Sequence, residues 1–348
     1  MSVVERLKAY WASRWAELCS LASRLWRKLT ESHYRLYELR CWWTGYEDER
    51  ERTANRIGYE PDLQNPETIN EKIIWKKINV RDPLLTRTTD KIKVRDYVRE
   101  KLGEDAEDLI IPLLHVADRP RALPLEACEV PYVIKTNHAS ETSLFVHDRL
   151  ADDRFVASTE NAPKSVWTRE ELIEQGTSWL QRDHGFHKHE WAYRGIERKV
   201  FIEPFLSDPY GDRLTDAKLD CFHGEPTYVL LIVNSEDGRR FSLLDEHGHR
   251  VEGQHEGPSV PEAVVQNLRS QLSRLRAYAS RLSEDFDHCR VDFYVRPEGL
   301  YFSEITHYPS SGYRQIQSRD FEREMGRHWN IDSSSAPSPL FRGAGPLL

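Results

Sequence analysis

The sequence predicts an α+β fold that follows an N-terminal helical extension. Residues 1–44 contain neither glycine nor proline, and their apolar side chains recur at alternating steps of three and four residues, as on one face of a helix. The remainder alternates amphipathic segments with short strand-like runs that turn back on each other. This second pattern is typical of helices packed on antiparallel sheets.

The N-terminal extension predicts one long helix followed by a shorter one. The apolar stripe of the first consists of Val4, Leu7, Trp11, Trp15, Leu18, Ala22, Leu25 and Leu29. A break at residues 30–32 would begin a second helix that carries Trp42 and Trp43. Basic residues border the stripe, so the segment would either lie on an anionic membrane surface or dock on its own domain or a second copy of the chain. Glu5 and Glu17 dilute the basic face, which favours docking.

Helices and strands are predicted in alternation after residue 65. Thr68 and Glu71 have the spacing of a capping box, which begins a helix that continues to about residue 79. A second helix is predicted over residues 90–102, before a glycine. The predicted strands are residues 109–116, 131–136, 143–147 and 199–206, and residues 151–195 are predicted to be mostly helical.

The C-terminal half predicts two hairpins and one long helix. Residues 216–222 would pair with 227–233, and residues 241–244 with 250–251. Pro261 would begin a helix with an apolar stripe that reaches Phe286, and the residues after Asn330 are predicted to be disordered.

Three histidines, His184, His187 and His189, lie close together in a polar run. They would either bind a metal ion or form a solvated turn. The polar surroundings favour the turn.

One predicted hairpin near residue 300 carries two acidic residues that bear on function. Its turn, Pro297-Glu298-Gly299, combines a proline and a glycine in a way that suits a three-residue loop. With that loop Arg296 faces Leu300, and Asp292 lies directly opposite Glu304. Because like charges in this position destabilise a sheet, a hard divalent cation is expected between them. The alternative is a hairpin with a solvated acidic face.

The composition excludes several classes of protein. The chain has 49 basic and 57 acidic residues, a formal charge of -8 and no long basic run, so nucleic-acid binding is not expected. It contains neither an apolar run long enough to span a bilayer nor a cleavable signal peptide. Its five cysteines are scattered and are interpreted as reduced thiols of a cytoplasmic protein. The N-terminal helix could place that protein peripherally at the inner membrane face.

Charged residues follow one another in an order that suits a nucleoside triphosphate and its metal. A strand lysine, Lys135, precedes a polar loop, another strand ends in Glu203, and a third carries Asp216 and Lys218 before the acidic hairpin. Lysines pair with phosphate oxygens, and carboxylates hold the Mg²⁺ that bridges phosphates.

With this order the sequence resembles the TupA-like branch of the ATP-grasp superfamily over about residues 65–312. The resemblance rests on the segments NPETINEKIIWKKINVRDPL, DKIKVRDYVREKLG, IIPLL, YVIKTNHAS, DAKLDCFHGEP and CRVDFYVRPEGLYFSEITHYPSSGY. It implies the ATP-grasp fold, in which two α+β subdomains clasp ATP, with ATP and Mg²⁺ as cofactors. The domain bounds expected are 1–60 for the helical extension, 61–130 for an α/β lead-in, 131–206 and 207–330 for the two subdomains, and 331–348 for the tail.

The same resemblance implies three groups of site residues. ATP would be bound by Lys91, Lys135, His138, Ser140, Glu203, Pro204, Phe205, Leu206, Asp216 and Lys218, with residues 203–206 as the adenine hinge. The metal would be held by Asp292, Glu304 and Thr306. Catalysis would depend on Lys135, Lys218 and Arg290. His138 would either donate to a phosphate or brace its loop. From its position in the sequence rather than from the resemblance, a basic residue such as Arg290 or Arg314 would hold a donor carboxylate.

Three segments depart from the family pattern. The usual His-Gly-Ser-Gly loop is His138-Ala139-Ser140-Glu141 here, which limits backbone approach to phosphate and adds a negative charge beside it. Ala217 replaces the usual tyrosine, and residues 309–312 vary from the usual Pro-Gly-Ser-Gly. ATP binding is expected to survive these changes, with an altered acceptor specificity.

The function implied by the resemblance is an ATP-dependent carboxylate–amine ligase of bacterial cell-surface polymer biosynthesis. A donor carboxylate would take the γ-phosphoryl group, and an amine would then displace phosphate from the acylphosphate to give an amide. The substrates implied are an amino acid and a uronic-acid, glycan or peptide component. The alternatives are a kinase that phosphorylates a sugar hydroxyl, and a nucleotide-binding scaffold that docks on a membrane assembly through the N-terminal helix.

Overall fold

The computed structural model describes residues 34, 36–160, 162–207, 214–235, 238–252 and 257–331. Residues 1–60 with 340–348 form one compact unit, and residues 61–339 form another. In the first unit residues 36–43 are helical, and helix α1 follows at Glu47–Ile57. The predicted stripe of residues 4–29 and the predicted tail after residue 331 lie outside the described residues. Within those residues, no helix combines the length and apolarity needed to cross a membrane.

The second unit begins with four helices, α2 (Ile69–Asn79), α3 (Pro83–Thr89), α4 (Val94–Leu102) and the short α5 (Ala106–Leu109). The predicted capping box is confirmed, because Thr68 and Glu71 each bond the other's backbone N–H at the start of α2. The helix predicted over residues 90–102 begins four residues later than expected. Helix α3 was not predicted, although Asp82 caps it and Pro83 occupies its first position.

The first sheet has the strand order β1-β6-β2-β3-β4-β5, and every pair is antiparallel. Its strands are β1 (His115–Ala117), β2 (Tyr132–Thr136), β3 (Ser143–Arg149), β4 (Arg154–Thr159), β5 (Ala162–Thr168) and β6 (Val200–Pro204). The strand predicted over residues 109–116 is therefore reduced to β1. On one face the sheet packs against helix α6 (Arg169–Gln181), with Leu172 and Trp179 buried between them.

The helical prediction for residues 151–195 is wrong over its first part. Strands β4 and β5 occupy residues 154–168, and only α6 is a long helix. Strand β4 buries Phe155 and Ala157 alternately with more exposed residues, which is the period of a strand. Strand β5 lies at the sheet edge and is almost entirely exposed, so it has no apolar pattern from which to predict it.

The second sheet has the order β11-β10-β7-β8-β9 and is also antiparallel. Its strands are β7 (Asp216–Phe222), β8 (Glu225–Ser235), β9 (Gly238–Leu244), β10 (His288–Arg296) and β11 (Gly299–Thr306). Helix α7 (Glu262–Ser283) covers one face, and its predicted stripe is buried as far as Phe286. Helix α8 (Arg319–Arg327) follows the sheet. The two antiparallel sheets with their helices confirm the predicted α+β class.

Candidate active site

The β10–β11 hairpin places Asp292 opposite Glu304 as predicted, but through a different turn. The predicted three-residue loop is wrong, because Arg296 pairs with Gly299 and the connection has two residues. Gly299 also lacks the positive φ that the predicted loop needs. A bulge at Ser303 then adds one residue to β11 and shifts the register. This shift restores the pairing of the two carboxylates.

Cations of the chain already neutralise these two carboxylates. Asp292 is fully buried and accepts hydrogen bonds from Nε and Nη2 of Arg290, both at 2.7 Å, and from Nζ of Lys218 at 2.8 Å. Glu304 accepts a hydrogen bond from Nζ of Lys91. The repulsion expected between the acidic side chains is therefore offset by basic residues from two strands and one helix-connecting segment.

Thr306 and Asp216 lie beside this cluster. The hydroxyl of Thr306 is 3.4 Å from a carboxylate oxygen of Glu304, and it accepts a weak contact from Arg290 Nη2 at 3.4 Å. A carboxylate oxygen of Asp216 lies 3.4 Å from Nζ of Lys218. Four oxygen-bearing side chains and three cations thus share one face of the second sheet.

The cluster shifts the pKa values of its members in opposite directions. The charge of Lys91 holds the pKa of Glu304 well below its usual range, against the effect of burial. Burial alone would lower the pKa of Lys218, but the carboxylates of Asp292 and Asp216 raise it above the usual value. At neutral pH Glu304 and Lys218 are therefore both charged.

Lys135 forms a second cluster with Glu203. The Lys135 ammonium contacts one Glu203 oxygen, and Arg95 Nη2 lies 3.1 Å from the other. Glu203 is only 4% exposed, so its negative charge has to be neutralised by these two cations. Tyr294 of β10 is among the groups that affect the pKa of Lys135, after burial and Glu203, so this cluster lies near the second sheet. Sequence reasoning missed Arg95, which lies one helical turn after Lys91 at the start of α4.

The residues predicted to hold adenine continue from Glu203. Pro204, Phe205 and Leu206 are half-buried. The Phe205 ring meets the ring of Phe145 edge-on at 6.1 Å and that of His147 at 5.8 Å. An apolar surface therefore lies next to the Lys135–Glu203 pair, where a planar base can pack.

The loop after Lys135 is tied to Lys91 by Asn137. The backbone N–H of Lys91 donates to the Asn137 carbonyl at 3.1 Å, and the Asn137 side chain donates to Asp90 at 3.0 Å. It also accepts from the N–H of Lys199 at 2.7 Å. These bonds fix the position of the loop relative to both predicted ATP lysines. Asn137 was not singled out from the sequence, because a polar loop residue has many other uses.

His138 is surrounded by residues that do not belong to the charged cluster. Its ring is 3% exposed, and the groups around it are Arg198, His184 and the backbone of Arg182 and Trp179 at the end of α6. Burial, followed by Arg198, lowers its pKa to about 4. Of the two roles expected for His138, these surroundings favour bracing the loop.

We expect acid to destabilise the protein through His138. In the unfolded chain His138 has a pKa of about 6.5, whereas in the native protein its pKa is about 4. Between these values the unfolded chain binds a proton that the native protein does not bind. The contribution of His138 to stability is therefore present above pH ~6.5 and is lost as the pH falls toward 4. Between about pH 7 and pH 5.5 the free energy of unfolding should fall by about 1 kcal/mol from this residue. Urea unfolding at both pH values should show a smaller fall in His138→Gln. An equal fall in wild type and variant would contradict the assignment, and His247→Gln, an exposed histidine, is the control.

The loop at residues 138–141, which we call the phosphate loop after its predicted role, also contains a strained residue. Glu141, which stands where the family has its second glycine, has a φ of 56° in the left-handed region. Ser140 is exposed, and its hydroxyl lies 3.5 Å from Nε2 of His184. The backbone therefore keeps a glycine-like conformation although the glycine is gone.

We expect Glu141→Gly to relieve this strain and to improve nucleotide binding. The free energy of unfolding should rise by about 1 kcal/mol, and affinity for a non-hydrolysable ATP analogue should rise several-fold because a negative charge is removed. Calorimetric titration and urea unfolding measure the two effects. Asp152→Gly, at an exposed turn residue with a φ of 59°, should share the gain in stability without the gain in affinity. Unchanged affinity in Glu141→Gly would show that the loop does not meet the nucleotide.

Arg314, a candidate for holding a donor carboxylate, is engaged elsewhere. Its guanidinium forms two bonds to Asp220, at 2.8 and 3.2 Å, and Asp220 is 1% exposed. Arg290 is likewise engaged with Asp292, although at the centre of the cluster. A role in binding a donor carboxylate thus fits Arg290 better by position.

The solvated-turn interpretation of the three histidines is wrong for His189. It is 1% exposed, and the adjacent Glu190 is 6% exposed. His187 is exposed and His184 is half-buried. Nor do these side chains assemble a metal site: across the described ranges, no three or more His, Cys, Asp or Glu side chains are arranged to hold a metal ion.

Comparison with known proteins identifies the family. A family model described as TupA-like ATP-grasp matches residues 71–330. The chain belongs to the TupA-like ATP-grasp family. The ATP-grasp fold expected from the sequence is thereby confirmed, with α1 and residues 36–43 preceding the matched region.

Solved structures similar to this TupA-like chain include several ligases, all of low sequence identity. ATP-grasp ligase PsnB complexed with minimal precursor is 10% identical, with 70% of this chain and 61% of that chain covered and a TM-score of 0.33. D-alanine–D-alanine ligase from Bacillus anthracis complexed with ATP is 14% identical, covering 63% and 56%, with a TM-score of 0.32. The same enzyme from Helicobacter pylori is 14% identical, covering 75% and 67%, with a TM-score of 0.34. The chain thus spans about three fifths of the first two structures, and no curated protein matches its sequence.

The side chains present fit a magnesium–nucleotide complex. Carboxylate and hydroxyl oxygens of Asp292, Glu304 and Thr306 are the hard donors that Mg²⁺ prefers. Lys91, Lys218 and Arg290 contact these same donors and match the charge of a triphosphate. The arrangement can therefore exchange its internal ion pairs for contacts to metal and phosphate.

Proposed function

We propose that this TupA-like ATP-grasp protein is an ATP- and Mg²⁺-dependent carboxylate–amine ligase. The observation that carries the proposal is the pairing of buried Asp292 with half-buried Glu304, which lie face to face and are neutralised by Lys91, Lys218 and Arg290. Such a set of opposite charges has the composition needed to receive a metal and a triphosphate together. Family membership supplies the ATP-grasp fold on which it is built.

Each residue has a role that follows from its contacts. Asp292, Glu304 and Thr306 would hold Mg²⁺, which would supply positive charge to offset that of the phosphates. On ATP binding, Lys218 and Lys91 would move from carboxylate to phosphate oxygens, since the metal then satisfies the carboxylates. Asp292 and Glu304 would therefore not be left without a cationic partner, which avoids the cost of an unpaired buried carboxylate.

The adenine end would lie along β2 and β6. Lys135 would reach the phosphates nearest the ribose, with Glu203 as its counter-ion, and the base would pack on Phe205. Arg95 would keep Glu203 neutralised when Lys135 turns toward phosphate. The nucleotide would thus span from the first sheet to the second.

The reaction would use positioning and charge rather than a covalent nucleophile. A donor carboxylate near Arg290 would attack the γ-phosphorus, forming an O–P bond while the bond to ADP breaks. An amine would then attack the acyl carbon, forming the C–N bond as phosphate leaves, and its nitrogen would release a proton to the departing phosphate. Preorganised cations around developing negative charge supply most of such accelerations.

The finer assignments are proposals that rest on the family. The substrates would be an amino acid and a uronic-acid, glycan or peptide component of a bacterial cell-surface polymer. The location would be cytoplasmic, with residues 1–60 as a peripheral contact or self-association segment. Within the second unit, residues 61–130 would lead into ATP-grasp subdomains at 131–206 and 207–330.

Release of ADP from ATP and Mg²⁺ tests the activity. The protein is supplied with pooled uronic acids and with or without pooled amino acids, and the products are analysed by mass spectrometry. We expect ADP release that increases with the amino acids and a product mass that corresponds to an amide. If a stable phosphoester formed without any amine, the protein would be a sugar kinase rather than a ligase.

A further inference from the structure

Residues 184–193 border the charged cluster on a side that the assignments above leave unused. We call this segment the 184–193 wall. At one end, the His184 ring lies 3.5 Å from the Ser140 hydroxyl of the phosphate loop. At the other end, the N–H of Ala192 donates to the Tyr308 hydroxyl at 3.3 Å, two residues beyond Thr306. The wall therefore joins the phosphate loop to the end of the metal-binding hairpin.

The wall is built tightly around Gly185. This glycine has a φ of 77°, and a Cβ atom there would lie 2.9 Å from Cβ of Glu190 and 3.1 Å from Cδ2 of Tyr193. The His184 ring meets the Tyr193 ring edge-on, with centroids 4.5 Å apart. Residues 191–193 also pack against α3. Both rings are thus held in fixed positions.

The Tyr193 hydroxyl has no hydrogen-bond partner in the part of the chain that the structure describes, although the residue is only half-exposed. The charges that affect its pKa, after burial, include Glu190, Glu304 and Arg290. His184 in turn is influenced by Lys91 and Glu304, and burial lowers its pKa to about 4. Both side chains are therefore uncharged at neutral pH and lie within electrostatic reach of the metal-binding and phosphate-binding residues.

We propose that the 184–193 wall binds the amine acceptor, with the Tyr193 hydroxyl and the His184 imidazole as its hydrogen-bonding groups. The inference rests on the ligase function proposed above. A phenol oxygen and a neutral imidazole nitrogen accept hydrogen bonds from N–H groups. The Glu190 carboxylate, 3.9 Å from His184, favours a cationic or N–H-rich group over an anionic one. An amino compound thus suits the wall, while the donor carboxylate suits Arg290.

The test compares Tyr193→Phe with wild type in two measurements. The first is the concentration of pooled amino acids that gives half-maximal ADP release, and the second is the affinity for a non-hydrolysable ATP analogue by calorimetry. Loss of one hydrogen bond should raise the half-maximal concentration about 5- to 20-fold, with analogue affinity within about twofold of wild type. Tyr278→Phe, a partly buried tyrosine packed on the core through α7, should change neither value. Gly185→Ala, which displaces Tyr193, should act in the same direction as Tyr193→Phe.

Three outcomes would overturn the assignment. If amino acids stimulate the wild type and Tyr193→Phe keeps the same half-maximal concentration, the wall does not bind the acceptor although the ligase function stands. If Tyr193→Phe lowers the affinity for the ATP analogue by as large a factor as it raises the half-maximal concentration of amino acids, the tyrosine contributes to nucleotide binding instead. If amino acids do not stimulate the wild type at all, the ligase function and the acceptor site both fail.

Discussion

Asp292→Asn should lower kcat/KM for ATP turnover about 1000-fold or more. Asparagine keeps the shape of the side chain but removes the charge that would bind the metal, whose contribution to the transition state is several kcal/mol, with about 1.4 kcal/mol for each factor of ten. The substitution also leaves Arg290 and Lys218 without their buried counter-ion. ADP release at saturating Mg²⁺, normalised to folded protein, measures the effect.

A matched control variant distinguishes a loss of catalytic activity from a loss of folding stability. Asp220→Asn removes an equally buried carboxylate that also carries a two-bond arginine partner, Arg314, but no proposed metal contact. We expect both variants to lose similar stability, on the order of 3 kcal/mol, and only Asp292→Asn to lose turnover. If the two variants lost turnover equally, buried ion pairing alone would explain the effect.

Lys135→Met should weaken binding of an ATP analogue about 10- to 100-fold. Methionine keeps the length and packing of the side chain, while the charge-assisted bond to phosphate is worth about 1.5–3 kcal/mol. Glu203 would then depend on Arg95 alone, so stability should also fall. Calorimetric titration with the analogue and Mg²⁺ gives the affinity directly.

Two further variants make the Lys135 result specific. Lys199→Met removes a more exposed lysine, paired with Asp118 and adjacent to β6, and should change affinity less than about twofold. Adding Glu203→Gln to Lys135→Met should lower stability further, because Arg95 then loses its buried partner, and should not restore affinity. If Lys135→Met bound the ATP analogue with wild-type affinity, Lys135 would not be part of the nucleotide site.

The fold could be predicted from the sequence where periodicity was strong. Helix α7 has a continuous apolar stripe, and α2 has a capping box, so both were predicted correctly. Strand β5 was missed because it is an exposed edge strand, in which burial imposes no alternation. Strand β4 was missed although Phe155 and Ala157 are buried alternately with more exposed residues. Local patterns reveal an element only where packing constrains its side chains.

In the site, as in the fold, features set by neighbouring residues were predicted and contacts between distant segments were not. The facing of Asp292 and Glu304 was predicted through the wrong turn, and it holds because the bulge at Ser303 compensates for the shorter loop. Neither Arg95 nor Tyr193 could be found from sequence spacing, since Glu203, the partner of Arg95, and Glu304, which influences Tyr193, lie far along the chain from them. The roles of these residues in binding ATP, metal and acceptor remain predictions for experiment.

The central claim is that the carboxylates of Asp292 and Glu304, which Arg290, Lys218 and Lys91 neutralise in the free protein, receive magnesium together with a triphosphate. Calorimetric binding of a non-hydrolysable ATP analogue with and without Mg²⁺, in wild type and Asp292→Asn, tests it most directly. We predict that Mg²⁺ strengthens binding at least about tenfold in wild type and less than about twofold in the variant. Full Mg²⁺ dependence in Asp292→Asn would contradict the claim.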